Sequence, residues 1–119
     1  MNDLAQVLKA LSDPTRTAIL THLSDGDLCV GALANRLSVT HSAVSQHLRI
    51  LREAGLVTGN KRGYWVHYSL NRERVREVSS QFSGWLDQLA SAPRRNCAAD
   101  MCVGSLRRGA SARSRGRKG

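Results

Sequence analysis

Val30-GALANRLSVTHSAVSQHLRILREAGLVTGNKRGYWVHYS-Leu70 decides the fold. A helical period of apolar residues (Leu33, Ala34, Leu37) breaks at Ser38-Val39-Thr40 and restarts at His41. Val44, Leu48 and Leu51 then fall in one narrow arc, the i, i+4, i+7 stripe of a core-facing helix side. Ser42, Gln46 and Arg49 point the opposite way, with Ser45 on the flank. Gly55 suits the left-handed residue that closes such a helix. From Leu56 the pattern alternates, predicting strands over 56–59 and 64–70 joined by the basic turn Asn60-Lys61-Arg62-Gly63. The order is helix, turn, recognition helix, wing.

Outward from this stretch, Leu4, Val7, Leu8 and Leu11 predict a first amphipathic helix, ended by Ser12-Asp13-Pro14. Pro14 suits the first turn of a second helix running to Leu23, with Ser12 or Asp13 as its cap. Asn71 caps a fifth helix to about Ala90, on which Val75, Val78, Phe82, Trp85, Leu86 and Leu89 recur at spacings of three and four. That stripe is longer than so small a core can cover, which predicts dimerisation through it. The expected fold is mainly α with a small β-hairpin: a dimeric winged helix-turn-helix of about five helices and a two-stranded wing. Its expected organisation is a DNA-binding and dimerisation domain over 1–92, a cysteine-containing segment over 93–104 and a basic disordered tail over 105–119.

The formal charge of +9 makes an acidic partner the natural one, but the charge is uneven. Residues 94–119 hold eight Lys or Arg against one acid, leaving ten against eight in residues 1–93. A basic tail alone could anchor any nucleic acid, so specificity has to rest on the folded part. No run approaches the roughly 18 apolar residues of a membrane span, and the N-terminus has no signal-peptide core, so a cytoplasmic protein is expected. An odd cysteine count of three argues against a disulfide framework and for free thiols, metal ligands or redox sensing. No phosphate-binding loop or metal-hydrolase motif is present, and no enzyme is expected.

The major groove of B-DNA admits one α-helix, whose N-terminal half tells bases apart with short donors and acceptors. Thr40, His41, Ser42, Ser45 and Gln46 supply them, and Gln46 has the geometry to bond adenine bidentately. Arg49 and Arg52 are placed for phosphates, and Lys61 and Arg62 for the flanking backbone or an A·T-rich minor groove. His47 borders the core side, where packing and base contact are equally open. Each of these residues also has the plainer reading of a solvated helix face, and only the whole series of elements favours DNA.

ALSDPTRTAIL, DLCVGALANRL, HSAVSQHLRILREAGLV and KRGYWVHYSL together resemble the ArsR/SmtB family of winged-helix repressors, over roughly residues 3–90. The resemblance implies a homodimer on palindromic double-stranded operator DNA, released when a metal or metalloid inducer binds. Cys29 matches the first cysteine of the Cys-Val-Cys pattern of arsenic-responsive members, whereas Gly31 stands where the second belongs. One thiolate cannot complete a three-sulfur site for a soft metalloid. Cys97 and Cys102, after the fifth helix, are the further sulfurs, and the three together form the expected site for trivalent arsenic or antimony; no obligatory cofactor is implied. Cadmium or lead on the same thiolates, a Cys97–Cys102 redox or persulfide switch, and Cys29 as a small buried hydrophobe stay open beside it. The fifth helix holds no histidine, which disfavours the nitrogen- and oxygen-ligand zinc site of other members.

Overall fold

The computed structural model describes residues 2–102; the basic segment 105–119 lies outside the described residues. Two compact units meet between Gln88 and Leu89. The first begins with α1 (Asn2–Ala10) and α2 (Pro14–Leu23). Asp13 caps α2 by accepting from the backbone N–H of Thr15 at 2.9 Å and of Arg16 at 3.1 Å. It thereby satisfies two of the four donors a helix start leaves orphaned.

The helix-turn-helix consists of α3 (Val30–Leu37) and α4 (His41–Glu53). The turn between them needs Ser38 in the left-handed region, at φ 56°, a conformation in which its own N–H and that of Val39 both reach the carbonyl of Ala34. Thr40 then opens α4, accepting from the Ala43 N–H at 3.0 Å. Val44, Leu48 and Leu51 are buried to 1% exposure or less, beside Val7, Ile19, Leu23 and Leu33. At about 2 kcal/mol for each fully buried aliphatic side chain, this stripe anchors the helix and leaves its opposite face free of any structural duty. Gly55 ends α4 with φ 79°, the left-handed residue expected there.

The sheet departs from the expected two-stranded wing. Strands β2 (Val57–Arg62) and β3 (Trp65–Leu70) form the hairpin, and a short strand β1 (Leu28–Cys29) pairs with the far edge of β3, giving the order β1-β3-β2, antiparallel throughout. Leu28 lies opposite Tyr68 and Cys29 opposite His67. Two residues are too few to show an alternation, so β1 left no periodic signal. The turn is also displaced: Arg62 pairs with Trp65, so Lys61 and Arg62 belong to β2 and the apex is Gly63-Tyr64.

Helix α5 (Arg72–Ser91) starts on Asn71, whose Oδ1 accepts from the Arg74 N–H at 3.2 Å while its Nδ2 donates to the Gly55 carbonyl at 3.0 Å. Of its apolar stripe only Val78 is buried; Phe82 and Trp85, their rings 6.2 Å apart, are half-buried, and Val75 and Leu86 are exposed. In the second unit a single helical turn over 99–102, which no sequence pattern signals, follows a segment without regular secondary structure. No helix among the described residues is long and apolar enough to cross a membrane.

Candidate nucleic-acid interface and thiol sites

Because Val44, Leu48 and Leu51 fix the rotation of α4, His41, Ser42, Ser45, Gln46, Arg49 and Arg52 are all exposed. Thr40 is exposed too; its oxygen accepts the cap bond, which leaves its O–H free to donate outward. His47 is set apart from this row. It is half-buried, its Nδ1 lies 3.3 Å from the Arg16 guanidinium and 3.9 Å from the Asp13 carboxylate, and it therefore joins α4 to the start of α2. Arg16 in turn donates to the Ala10 carbonyl, at 2.5 Å, and to that of Lys9, at 3.3 Å. The Arg16 amide, and secondarily the His47 ring, hold the Asp13 carboxyl below its ordinary range against the opposing effect of desolvation.

Arg52 turns toward the wing: its Nη1 lies 3.4 Å from where a side chain on Gly59 would begin. Glycine at 59 is what allows that approach, since a Cβ there would also meet Tyr68 at 3.1 Å. Arg62, expected at a basic tip, instead ends β2 and pairs with Asp27 at 2.5 Å. The Asp27 carboxyl is held low first by a hydrogen bond from Ser69 and then by Arg62. Asp27, immediately before β1, thus clasps both strands of the hairpin. Lys61 stays exposed, as does Tyr64 at the apex, which the turn expected at Asn60–Gly63, two residues too early, leaves in a strand.

Cys29 is half-buried at the N-terminus of α3 and makes no side-chain cap bond. A side chain placed on Gly31 would sit 4.0 Å from the Cys29 Sγ and 3.6 Å from the His41 ring, so the position of the missing second thiol is open and faces the first residue of α4. Across the sheet, the Nδ1 of His67 is buried with no hydrogen-bond partner. Cys29 and His67 are cross-strand neighbours because of β1, which nothing in the local sequence announced.

In the second unit Cys97 and Cys102 are exposed and their Sγ atoms lie 3.2 Å apart. The helical turn over 99–102 brings them together across four intervening residues. The Cys97 thiol raises the pKa of Cys102, as expected of two ionisable sulfurs that cannot both charge freely. Among the described residues no group of three His, Cys, Asp or Glu side chains converges on a point where a metal ion could sit. Within the second unit the structure pairs two of the three expected sulfurs, Cys97 and Cys102.

Residues 13–58 match the family model of bacterial regulatory proteins, arsR family. The transcriptional repressor SdpR of Bacillus subtilis (strain 168) is 40% identical over 65 residues, 55% of this chain and 72% of that protein. The arsenical resistance operon repressor of Escherichia coli (strain K12) is 45% identical over 67 residues, 56% of this chain and 57% of that protein, so the chain spans little more than half of it. Among solved structures, an ArsR-like transcriptional regulator from Rhodococcus sp. RHA1 superposes with a TM-score of 0.68 at 28% identity, covering 90% of this chain and 92% of that one. The homodimeric winged helix-turn-helix DNA-binding domain Mb0332 of Mycobacterium bovis gives a TM-score of 0.61 at 25% identity, covering 81% and 89%.

Proposed function

The chain belongs to the arsR family of bacterial regulatory proteins, DNA-binding regulators and not enzymes, and on that premise we propose a cytoplasmic, homodimeric repressor released from its operator by a thiol-binding inducer, trivalent arsenic or antimony. The part of the α5 stripe left uncovered at Val75 and Leu86, with Trp85 half-buried between, supports the dimer, because a second copy would bury it. Thr40, His41, Ser42, Ser45 and Gln46 read base edges, while Arg49, Arg52 and Lys61 serve the backbone.

The observation that carries the inducer is the 3.2 Å separation of the Cys97 and Cys102 sulfurs. With metal–thiolate bonds of about 2.3 Å, a pyramidal centre whose S–M–S angle is about 90° holds its sulfurs about 3.3 Å apart. A tetrahedral ion would need about 3.8 Å on the same bond length. The spacing supports a pyramidal metalloid, while a tetrahedral ion would need these two exposed side chains to open by about 0.5 Å. Arsenous acid would exchange two hydroxyls for two thiols with release of two waters. Its site follows the C-terminal end of α5, whose other end is tied to α4 by Asn71 and to the Ser24 carbonyl by Arg72, at 2.8 Å. An inducer that reorders the segment after α5 thus acts on a helix fixed at the reading unit. Coupling of about 1–3 kcal/mol would weaken operator binding about 5- to 150-fold.

The same sulfur proximity favours a second reading, closure of a Cys97–Cys102 disulfide by an oxidant or persulfide. Operator-bound protein titrated with arsenite, cadmium and peroxide, as wild type and as Cys29→Ser, Cys97→Ser and Cys102→Ser, separates the two. Arsenite release that is abolished in Cys97→Ser and Cys102→Ser is the expected result, with Cys29→Ser reporting any third sulfur. Release of the wild type by peroxide alone would hand the switch to the redox reading.

A further inference from the structure

The wing ends in an aromatic point. Arg62 and Trp65 are the last cross-strand pair, so the turn has two residues, Gly63 at φ 64° and Tyr64, which is not in the left-handed region. Glycine with positive φ at the first turn position is the type II′ arrangement, whose twist matches that of the strands. Tyr64 at the apex is 96% exposed and Trp65 beside it 65% exposed. Exposed aromatics grouped at a protruding turn mark a contact surface, because each leaves a large apolar area in water for no folding gain. The nearest cation that a sequence reading would send to DNA, Arg62, is already held by Asp27.

We propose that Tyr64 is the wing's groove-contacting residue, lying in the minor groove flanking each half-site, with Lys61 on a phosphate and Arg62 holding the wing in shape. This rests on the assignment of the exposed face of α4 to the major groove. Duplex DNA is the occupant because the apex continues that surface: the root of the hairpin is packed against α4 through Arg52 and Gly59, so helix face and wing apex move as one piece. Lys61 supplies the matching charge. A minor groove about 6 Å wide admits an aromatic ring on edge, and there A·T pairs present only acceptors, whereas G·C adds the guanine amino group. A tyrosine hydroxyl donates to the former and meets steric opposition from the latter, so the wing favours A·T at its flanking position.

The test uses the full chain and a duplex that the wild type selects from a random pool, read by fluorescence anisotropy across a salt series. Tyr64→Ala, which removes one groove contact from each of the dimer's two wings, is expected to weaken binding about 100-fold, with the slope of log K against log salt unchanged. Tyr64→Phe keeps most of the affinity and loses the A·T preference in a repeated selection. Lys61→Ala, which removes one phosphate contact from each protomer of the dimer, lowers the slope by about two. Because Tyr64 touches solvent almost entirely, both Tyr64 variants keep the wild-type melting temperature. Wild-type affinity in Tyr64→Ala overturns the proposal, as does a slope that falls as it does in Lys61→Ala. Tyr64→Ala that lowers only the size of protein assemblies, leaving DNA affinity intact, overturns it in favour of a protein contact.

Discussion

Asn71→Ala should separate the recognition helix from α5 and cost about 2 kcal/mol. The side chain makes two bonds with different recipients: its oxygen accepts from the Arg74 N–H, capping α5, and its amide donates to the Gly55 carbonyl at the end of α4. Losing a cap costs about 1 kcal/mol, and leaving a part-buried carbonyl without its donor costs about another 1 kcal/mol. The backbone bond from Asn71 N–H to the Leu56 carbonyl survives, so the chain path is kept. For a domain of this size the sum corresponds to a fall in Tm of about 8–16 °C. Asn71→Asp keeps the capping oxygen and adds a charge favoured at a helix N-terminus, but cannot donate to Gly55. It should lose about half as much. Melts by circular dichroism at one fixed protomer concentration give both values, since dimerisation makes Tm concentration-dependent. A loss under about 0.5 kcal/mol for Asn71→Ala, within the range of ordinary surface changes, would refute the two-bond account. So would equal losses in the alanine and aspartate variants.

Four further outcomes are expected. Gln46→Ala, on the exposed side of α4, should relax selection at one operator position by about 1–3 kcal/mol while the melt stays as in the wild type; uniform loss over all sequences would assign Gln46 to the backbone instead. Arg62→Ala should leave the salt slope unchanged because its charge is spent on Asp27, and a slope lower by about two, one phosphate per protomer, would return Arg62 to a phosphate. Gly31→Cys meets only ordinary contacts, 3.6 Å to His41 and 4.0 Å to the Cys29 sulfur, so it should fold and restore an arsenite response in the Cys97→Ser/Cys102→Ser background; continued silence there would show that the start of α3 is not coupled to DNA release. Asp13 has a folded pKa below 3.8, set chiefly by the Arg16 amide, so its contribution is present above that ordinary value and lost as pH falls through the lower folded one. The Tm gap between wild type and Asp13→Asn should therefore close in acid, and a gap that stays constant down to about pH 2 would place the effect elsewhere than the charge.

Most of the helix-turn-helix was legible because its signals are local. The stripe of Val44, Leu48 and Leu51 and the cap at Asp13 each lie within a few residues of what they determine. The Gly55 stop and the Asn71 cap are of the same kind. The misplacements arose where the deciding partner is distant in sequence. Nothing near Leu28-Cys29 reveals that β3, some forty residues on, offers an edge for it. The basic run Asn60-Lys61-Arg62-Gly63 resembles a turn by composition, but pairing across the whole hairpin moves the apex to Gly63-Tyr64. That shift removes Arg62 from the tip and puts Tyr64 there. His47 was balanced between packing and base contact, and Arg16, thirty-one residues away, is what draws it to the packing side.

The third strand changes how the Cys29 thiol should be understood. As the first residue before a helix, Cys29 would transmit a ligand's pull to α3 alone. As a residue of β1 it is also hydrogen-bonded into the wing, opposite His67 and two positions from Asp27, which clasps Arg62 and Ser69 on both hairpin strands. A displacement of this segment cannot be confined to α3, because packed strands and ion pairs shift between discrete arrangements and do not deform freely. The elements it would disturb are the two assigned to DNA in the proposed function: the wing, through β3, and the start of α4, through the space at Gly31 beside His41. Family members with a second thiol at that position would grip the junction of wing and recognition helix directly. This chain has glycine there and a close thiol pair after α5, and the inducer proposed above would act on the same junction through α5, by way of Asn71 and Arg72.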